Sequence, residues 1–349
     1  MIYVPDCESC EVSLHFIHFL QSSLYASIRR FYDISASSYN LSLISSRYTL
    51  YTSSIRPRMS PRSDAMTLRI GVLETDQPAP AVLKAVGTYG DIFKRSIQES
   101  ATALTPGLEI AFTKFDVVKG EYPSCIDDFD AFMVSGSQAS AYDRLPWIEL
   151  LELFISKVYH NHPTIRLYGS CFGHQIIAQS LLAHGGAVIE RNPRGWEVGV
   201  HPIHMAPAFR SHFQSLLRMS RRQSRDTIHF RLQLIHRDFV RILRPLPSGW
   251  MLIGSTSLCR NQGLYAPGRV LTFQGHFEFD SFINWETSKI FGAEWDDATL
   301  VEHRKAIHAP DCSDVVSDFV TRFLVGDDRL SRSAWMIEDV PTPARTPEP

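Results

Sequence analysis

No apolar run in this 349-residue chain approaches the roughly 18 residues of a membrane span. Nor does charge of one sign accumulate. The 35 Lys and Arg stand against 37 Asp and Glu, a formal net charge of −2. That balance gives no reason to expect a nucleic acid or an anionic membrane as partner. Cysteine is sparse: six residues, at 7, 10, 125, 171, 259 and 312, form no dense disulfide framework. Free thiols in a reducing, cytoplasmic compartment fit this usage better than secretion. Cys7 and Cys10 make a lone C-x-x-C without the second pair that a zinc site needs, so no metal is expected. No Gly-rich phosphate-cradling motif and no internal repeat occur, and no cofactor is expected. What is present is an ordinary apolar fraction, 44%, in a chain long enough to bury a substantial core.

The first 65 residues differ from the rest. Between Val12 and Ser63 one acid, Asp33, faces six arginines among many Ser and Tyr. Organelle transit segments have such a composition, but Asp6, Glu8 and Glu11 spoil the extreme N-terminus. Residues 1–65 therefore read as a disordered extension, or as translated sequence upstream of a start at Met66. A folded region, 66–330, follows. The Pro-rich tail 331–349, ending "EDVPTPARTPEP", is expected to be disordered.

Within the folded region, "TLRIGVLETD" (67–76), "LEIAFTKFDV" (108–117), "DAFMVSGSQAS" (130–140) and "TIRLYGS" (164–170) read as strands. Helical spacing runs through 81–100, 146–160 and 172–186, the last closed by Gly185 and Gly186. Strands alternating with helices predict an α/β fold, a mostly parallel central sheet with helices on both faces.

Reacting groups in open α/β sheets sit at the carboxyl ends of strands. Cys171 lies there, in Gly169-Ser170-Cys171-Phe172-Gly173. A nucleophile on a sharp strand-to-helix turn needs small neighbours, because its own backbone is strained. The following helix N-terminus favours the thiolate, and the Phe172 N–H is placed to receive an oxyanion. The competing reading is a buried structural cysteine, the usual fate of a lone Cys. A base is needed to decide. Of fourteen histidines, two have a carboxylate two residues on: His276 with Glu278 in "FQGHFEF", and His236 with Asp238 in "LIHRDF". Residues i and i+2 of an extended segment share a side, so either carboxylate could orient its ring. Spacing does not choose between them, although Gly275 tilts the balance toward His276. His174, on the helix, reads as structural.

The segments "VSGSQAS", "YGSCFGHQ", "NPRGWEVG", "QLIHRDFV" and "FQGHFEF", in this order over roughly residues 67 to 285, resemble class I glutamine amidotransferases. The nearest likeness is to the stand-alone branch similar to the glutaminase half of GMP synthase and to plant γ-glutamyl peptidases. The resemblance implies a flavodoxin-like three-layer architecture. It implies Cys171 as nucleophile, His276 as base and then acid, and Glu278 as orienting carboxylate. It is this family pattern that selects His276 over His236. It further implies a second oxyanion N–H from Ser137, room for substrate at Gly136, and a glutamine contact from Gln175. The implied reaction is attack on a γ-carboxamide carbon, a γ-glutamyl thioester, and hydrolysis. "SGS" departs from the Gly-Gly-Pro common in the family, and 210–230 is unusually basic.

Two functions fit the same residues. One is hydrolysis of a small-molecule γ-glutamyl substrate, glutamine or a γ-glutamyl peptide such as a glutathione conjugate, by the chain acting alone. The other is a glutaminase subunit supplying ammonia to a separate synthase. A third reading, a catalytically silent binding or regulatory member, is opposed by the intact Cys171, His276 and Glu278. The late G-H-x-E motif opposes a serine-type protein of similar topology. Residues beyond 285 are too few for a synthetase domain, which favours the stand-alone hydrolase.

Overall fold

Residues 67–218, 229–292 and 295–327 are described by the structure, a computed structural model. The expectations for 1–65 and 331–349 lie outside the described residues, as does part of the basic stretch 210–230. Twelve strands are present among the described residues: β1 (Thr67–Glu74), β2 (Glu109–Asp116), β3 (Ala131–Val134), β4 (Arg166–Ser170), β5 (Ala187–Arg191), β6 (Glu197–Met205), β7 (His229–His236), β8 (Asp238–Ile242), β9 (Met251–Leu252), β10 (Gly254–Ser255), β11 (Gly263–Ala266) and β12 (Val270–Phe273). The helices are α1 (Pro80–Ala85), α2 (Tyr89–Leu104), α3 (Pro146–Asn161), α4 (Phe172–Leu182), α5 (Pro207–Arg218), α6 (Ser281–Phe291), α7 (Asp297–Ile307) and α8 (Ser313–Val325).

Seven strands form the central sheet in the order β2-β1-β3-β4-β12-β11-β9. The first five are parallel, and only β11 runs against its neighbours. The period of two along each strand divides the core between the faces. Ile70, Val72, Met133, Tyr168, Leu271 and Phe273 face one core, closed by Phe93 and Ile97 of α2 and by Phe319 and Phe323 of α8. Leu73, Phe132, Val134, Leu167 and Val270 face the other, closed by Leu151 and Ile155 of α3 and by Ile176 and Ile177 of α4. Each such side chain contributes about 1.5–3 kcal/mol on burial. The result is the three-layer α/β architecture that the strand–helix alternation predicts.

One expectation needs correcting. The spacing over 81–100 predicts a single helix, but the chain forms α1 and α2 with a break between them. Gly87 takes φ 109°, which ends α1. Thr88 and Asp91 then close a capping box that restarts the helix, with Thr88 N donating to Asp91 Oδ2 over 2.9 Å. The restart is tied to the sheet, since Gly90 N donates to Glu74 Oε1 at the end of β1 over 2.8 Å.

Smaller antiparallel pairings carry the remaining motifs. β6 lies between β10 and β7, and β5 pairs with β8. In the β6–β7 register Glu197 stands opposite His236.

Candidate active site

Cys171 joins β4 directly to α4 and is the one non-glycine residue with positive φ among the described residues, at φ 53° and ψ −105°. Holding an L-residue there costs on the order of 1–3 kcal/mol. The turn is forced by close packing. A Cβ on Gly169 would stand 2.4 Å from Gly173 O, and one on Gly173 would stand 2.3 Å from Val134 O. Only glycine at both positions lets α4 approach β3 and β4 this closely. The Cys171 N–H donates to Phe273 O over 2.9 Å, which fastens the turn to β12. Cys171 is buried, 8% exposed, at the N-terminus of α4.

His276 and Glu278 follow β12 and meet as their spacing predicts, with Nδ1 2.8 Å from Glu278 Oε1. Ser170 joins them: its Oγ donates to the same carboxylate oxygen over 2.8 Å and lies 3.2 Å from His276 Nδ1. Burial by itself would lower the His276 pKa. The Glu278 carboxylate and the Cys171 sulfur outweigh it and push the value up to about 10. The carboxylate and the sulfur thus favour a second proton on the ring. The ring also stacks on Phe279, with centroids 3.9 Å apart and planes 9° from parallel, and Phe279 stacks in turn on Tyr89. An aromatic face beneath an imidazolium adds cation–π attraction.

The second histidine is built differently from what its spacing suggests. The Asp238 carboxylate turns away to Ser140 Oγ, 2.5 Å distant. Only the Asp238 carbonyl reaches His236, whose Nδ1 donates to it over 3.1 Å. The carboxylate facing His236 is Glu197, with Oε2 3.1 Å from Nε2, off the line of a good hydrogen bond. Burial opposes ionisation of Glu197, but His236 and Thr256 hold its pKa below the ordinary carboxylate value. His174 is buried against Thr272 Oγ1 at 2.8 Å, and burial, reinforced by the charge of His236, pushes its pKa down to about 3.

Gly136 borders Cys171, and Ser137 follows it in the chain. A Cβ at Gly136 would lie 3.4 Å from His276 Cε1 and 3.8 Å from Cys171 Cβ. The turn is pinned by Thr75, whose N donates to Ser135 Oγ over 3.0 Å and whose hydroxyl lies 2.9 Å from Gly136 O. Ser137 Oγ accepts from Ala139 N over 3.1 Å. The Ser137 and Phe172 amides have no acceptor among the described residues. Gln175 is buried rather than open to the pocket. Its amide nitrogen donates to Asp238 O over 3.0 Å and to Gln274 Oε1 over 3.2 Å.

Cys171, His276, Glu278, Gly136 and Gln175 are thus gathered at one place. Two participants escaped the sequence reading. Ser170 and Gln274 both stand inside quoted motifs, but a hydroxyl or amide beside a cysteine or histidine carries no distinguishing spacing. Among the described residues no group of three or more His, Cys, Asp or Glu side chains is arranged to hold a metal ion, and no helix is long and apolar enough to cross a membrane.

No family model matches the chain. A protein of Schizosaccharomyces pombe named as glutamine amidotransferase-like is 29% identical over 266 residues, 74% of this chain and all of that one. γ-Glutamyl peptidase 3 of Arabidopsis thaliana is 26% identical over 212 residues, 59% of this chain and 74% of that one. Among solved structures, a glutamine amidotransferase of Thermotoga maritima superposes with a TM-score of 0.52 at 16% identity, covering 74% of this chain and 98% of that one. One of Methylobacillus flagellatus gives 0.50 at 19%, covering 75% and 93%. By sequence the chain is similar to proteins named as glutamine amidotransferase-like and as γ-glutamyl peptidases, and by structure it shares the fold of solved glutamine amidotransferases.

Proposed function

We propose that the chain is a cysteine-dependent hydrolase of γ-glutamyl amide bonds, acting on γ-glutamyl peptides such as glutathione conjugates and on glutamine. The observation that carries this reading is the positive-φ Cys171 at a helix N-terminus beside the His276–Glu278 pair. A strained cysteine facing a charged imidazole has no structural purpose that a smaller apolar residue would not serve at lower cost.

The chemistry follows from the charges. The Cys171 thiolate attacks the γ-carbonyl carbon, and the carbonyl π pair moves to oxygen. The Phe172 and Ser137 amides receive that oxyanion. Its collapse breaks the carbon–nitrogen bond, and His276 gives its proton to the departing amine. A γ-glutamyl thioester remains on Cys171. Water then attacks as the now neutral His276 removes its proton, a second oxyanion collapses, and glutamate leaves with the thiolate and imidazolium restored. Glu278 and Ser170 keep the ring in the tautomer that both transfers need. Gly136 leaves space beside the thiol, and Gln175 Oε1 accepts from the glutamyl end of the substrate. Two relatives bear on the leaving group: one is named a γ-glutamyl peptidase, the other only by likeness to amidotransferases.

The test is kcat/KM of the purified full chain for glutamine, by ammonia release, and for glutathione, by release of cysteinylglycine. Hydrolysis of glutathione at least as efficient as that of glutamine is expected, without added protein. Silence on both, with glutaminase activity appearing only when a synthase-containing fraction is added, would overturn the stand-alone reading in favour of the ammonia-supplying subunit.

A further inference from the structure

We propose that Gln274 is a further catalytic residue, whose side-chain amide holds the attacking sulfur of Cys171 and is aimed by hydrogen bonds running from the Asp238 carbonyl through Gln175, with the His236–Glu197 pair behind that carbonyl. Gln274 is completely buried, two residues before His276, and its Nε2 stands 3.6 Å from Cys171 Sγ. An N–H directed at the sulfur favours thiolate over thiol, whereas the amide oxygen in the same place would repel it. Which end faces the sulfur therefore matters, and the neighbours fix it.

Gln274 Oε1 accepts from Gln175 Nε2 over 3.2 Å, which turns Nε2 toward the sulfur. Gln175 is itself fixed, because its nitrogen also donates to Asp238 O over 3.0 Å, and a carbonyl only accepts. The same carbonyl receives His236 Nδ1 over 3.1 Å. The other His236 nitrogen faces Glu197 Oε2 at 3.1 Å, an ion-pair contact off the hydrogen-bond line. Glu197 is locked in turn, its Oε2 accepting from Gln262 Nε2 over 2.9 Å. The Gln175 and Gln274 contacts each have one assignable donor and one acceptor, so neither amide can flip without losing a bond. Gln175, His236 and Glu197 are positioning residues in this scheme. They build a second histidine–carboxylate pair that sets the sulfur, beside the first that moves the proton.

The inference rests on Cys171 as the nucleophile, and its test is independent of any substrate. Iodoacetamide alkylation of Cys171 in the full chain, read on its own peptide by mass spectrometry, is followed against pH. Gln274→Met keeps the volume and removes the donor. Its alkylation midpoint should move to higher pH, and kcat on whichever γ-glutamyl amide is hydrolysed should fall about tenfold with KM little changed. Glu197→Gln should move the midpoint in the same direction by less, and it reads the same arrangement from its far end if Gln274→Met does not fold. Midpoints unchanged in a folded Gln274→Met, or in Glu197→Gln where only that variant folds, would overturn the proposal. The expected midpoints without hydrolysis of either amide would uphold the hold on sulfur and remove only the proposed substrate class.

Discussion

The Cys171 amide and the Phe273 carbonyl meet at 2.9 Å, so the thiol hangs from the strand that runs on into Gln274, Gly275 and His276. The β4–β12 pairing, with Ser170 opposite Phe273, sets the separation of sulfur, amide and imidazole. One strand register thus places three groups, and each part of that arrangement can be tested singly.

Cys171→Ala should abolish hydrolysis and keep the fold, since glycines 169 and 173 shape the turn and not the thiol. Cys171→Ser should be nearly as inactive, a hydroxyl being far harder to ionise than a thiol. Cys171→Gly should be equally dead but more stable than Cys171→Ala by about 1 kcal/mol, because glycine tolerates positive φ. Urea denaturation compares the two. Equal stabilities would mean that the turn stores no strain, and retained activity in any of the three would dismiss the nucleophile.

The two histidines should separate in kinetics. His276→Asn is expected to lose a factor of about 10²–10⁴ in kcat, the span of general acid–base catalysis. His236→Asn should lose less, through the position of the sulfur and of Asp238 O. Losses in the reverse order would transfer the acid–base role to His236.

That contest also marks the limit of what the sequence discloses. Continuous apolar runs in β1, β3 and β4, alternation in β2, and the glycines around Cys171 are local patterns, so layers and turn are legible. His276 finds its carboxylate two residues away and is legible for the same reason. His236 has an acid at the same spacing, yet its real partner is Glu197, brought opposite by the β6–β7 pairing. No local pattern reports a contact made through a sheet. The break between α1 and α2 was masked because its apolar spacing carries on across Gly87 and Thr88. Gln274 was invisible because a glutamine becomes a sulfur ligand only through what fixes its amide.

The raised pKa of His276 predicts a pH dependence of stability. The folded chain holds this proton up to about 10, and the unfolded chain releases it near 6.5. The stabilisation is fully present below 6.5, shrinks as pH rises, and is gone above 10. Cys259, pushed up to about 12 by burial, acts in the same direction but only above its ordinary 9. Urea denaturation between pH 7 and 9 in a Cys171→Ala background, which takes the thiol out of the comparison, isolates the part of the effect that Glu278 supports. That variant should lose stability across the window, and its combination with His276→Asn should lose distinctly less. Parallel slopes would mean that the ring is not a cation in the fold.

Gly173→Ala tests the turn from its other side. Its added methyl would stand 2.3 Å from Val134 O, a backbone atom that β3 holds in place. No rotamer change relieves such a contact, so α4 must move away from β3. Overpacking of this kind costs about 1–3 kcal/mol. The displacement carries the Phe172 amide and the Cys171 sulfur with it, away from Gly136 and His276. A shift of about 1 Å at a reacting centre is enough for a roughly hundredfold loss. The expected result is a folded, destabilised variant with kcat reduced by about that factor, while Gly185→Ala, with nothing within 4 Å of the new methyl, serves as a near-neutral control. Wild-type kcat in Gly173→Ala would mean that the approach of α4 to β3 does not set the position of the sulfur.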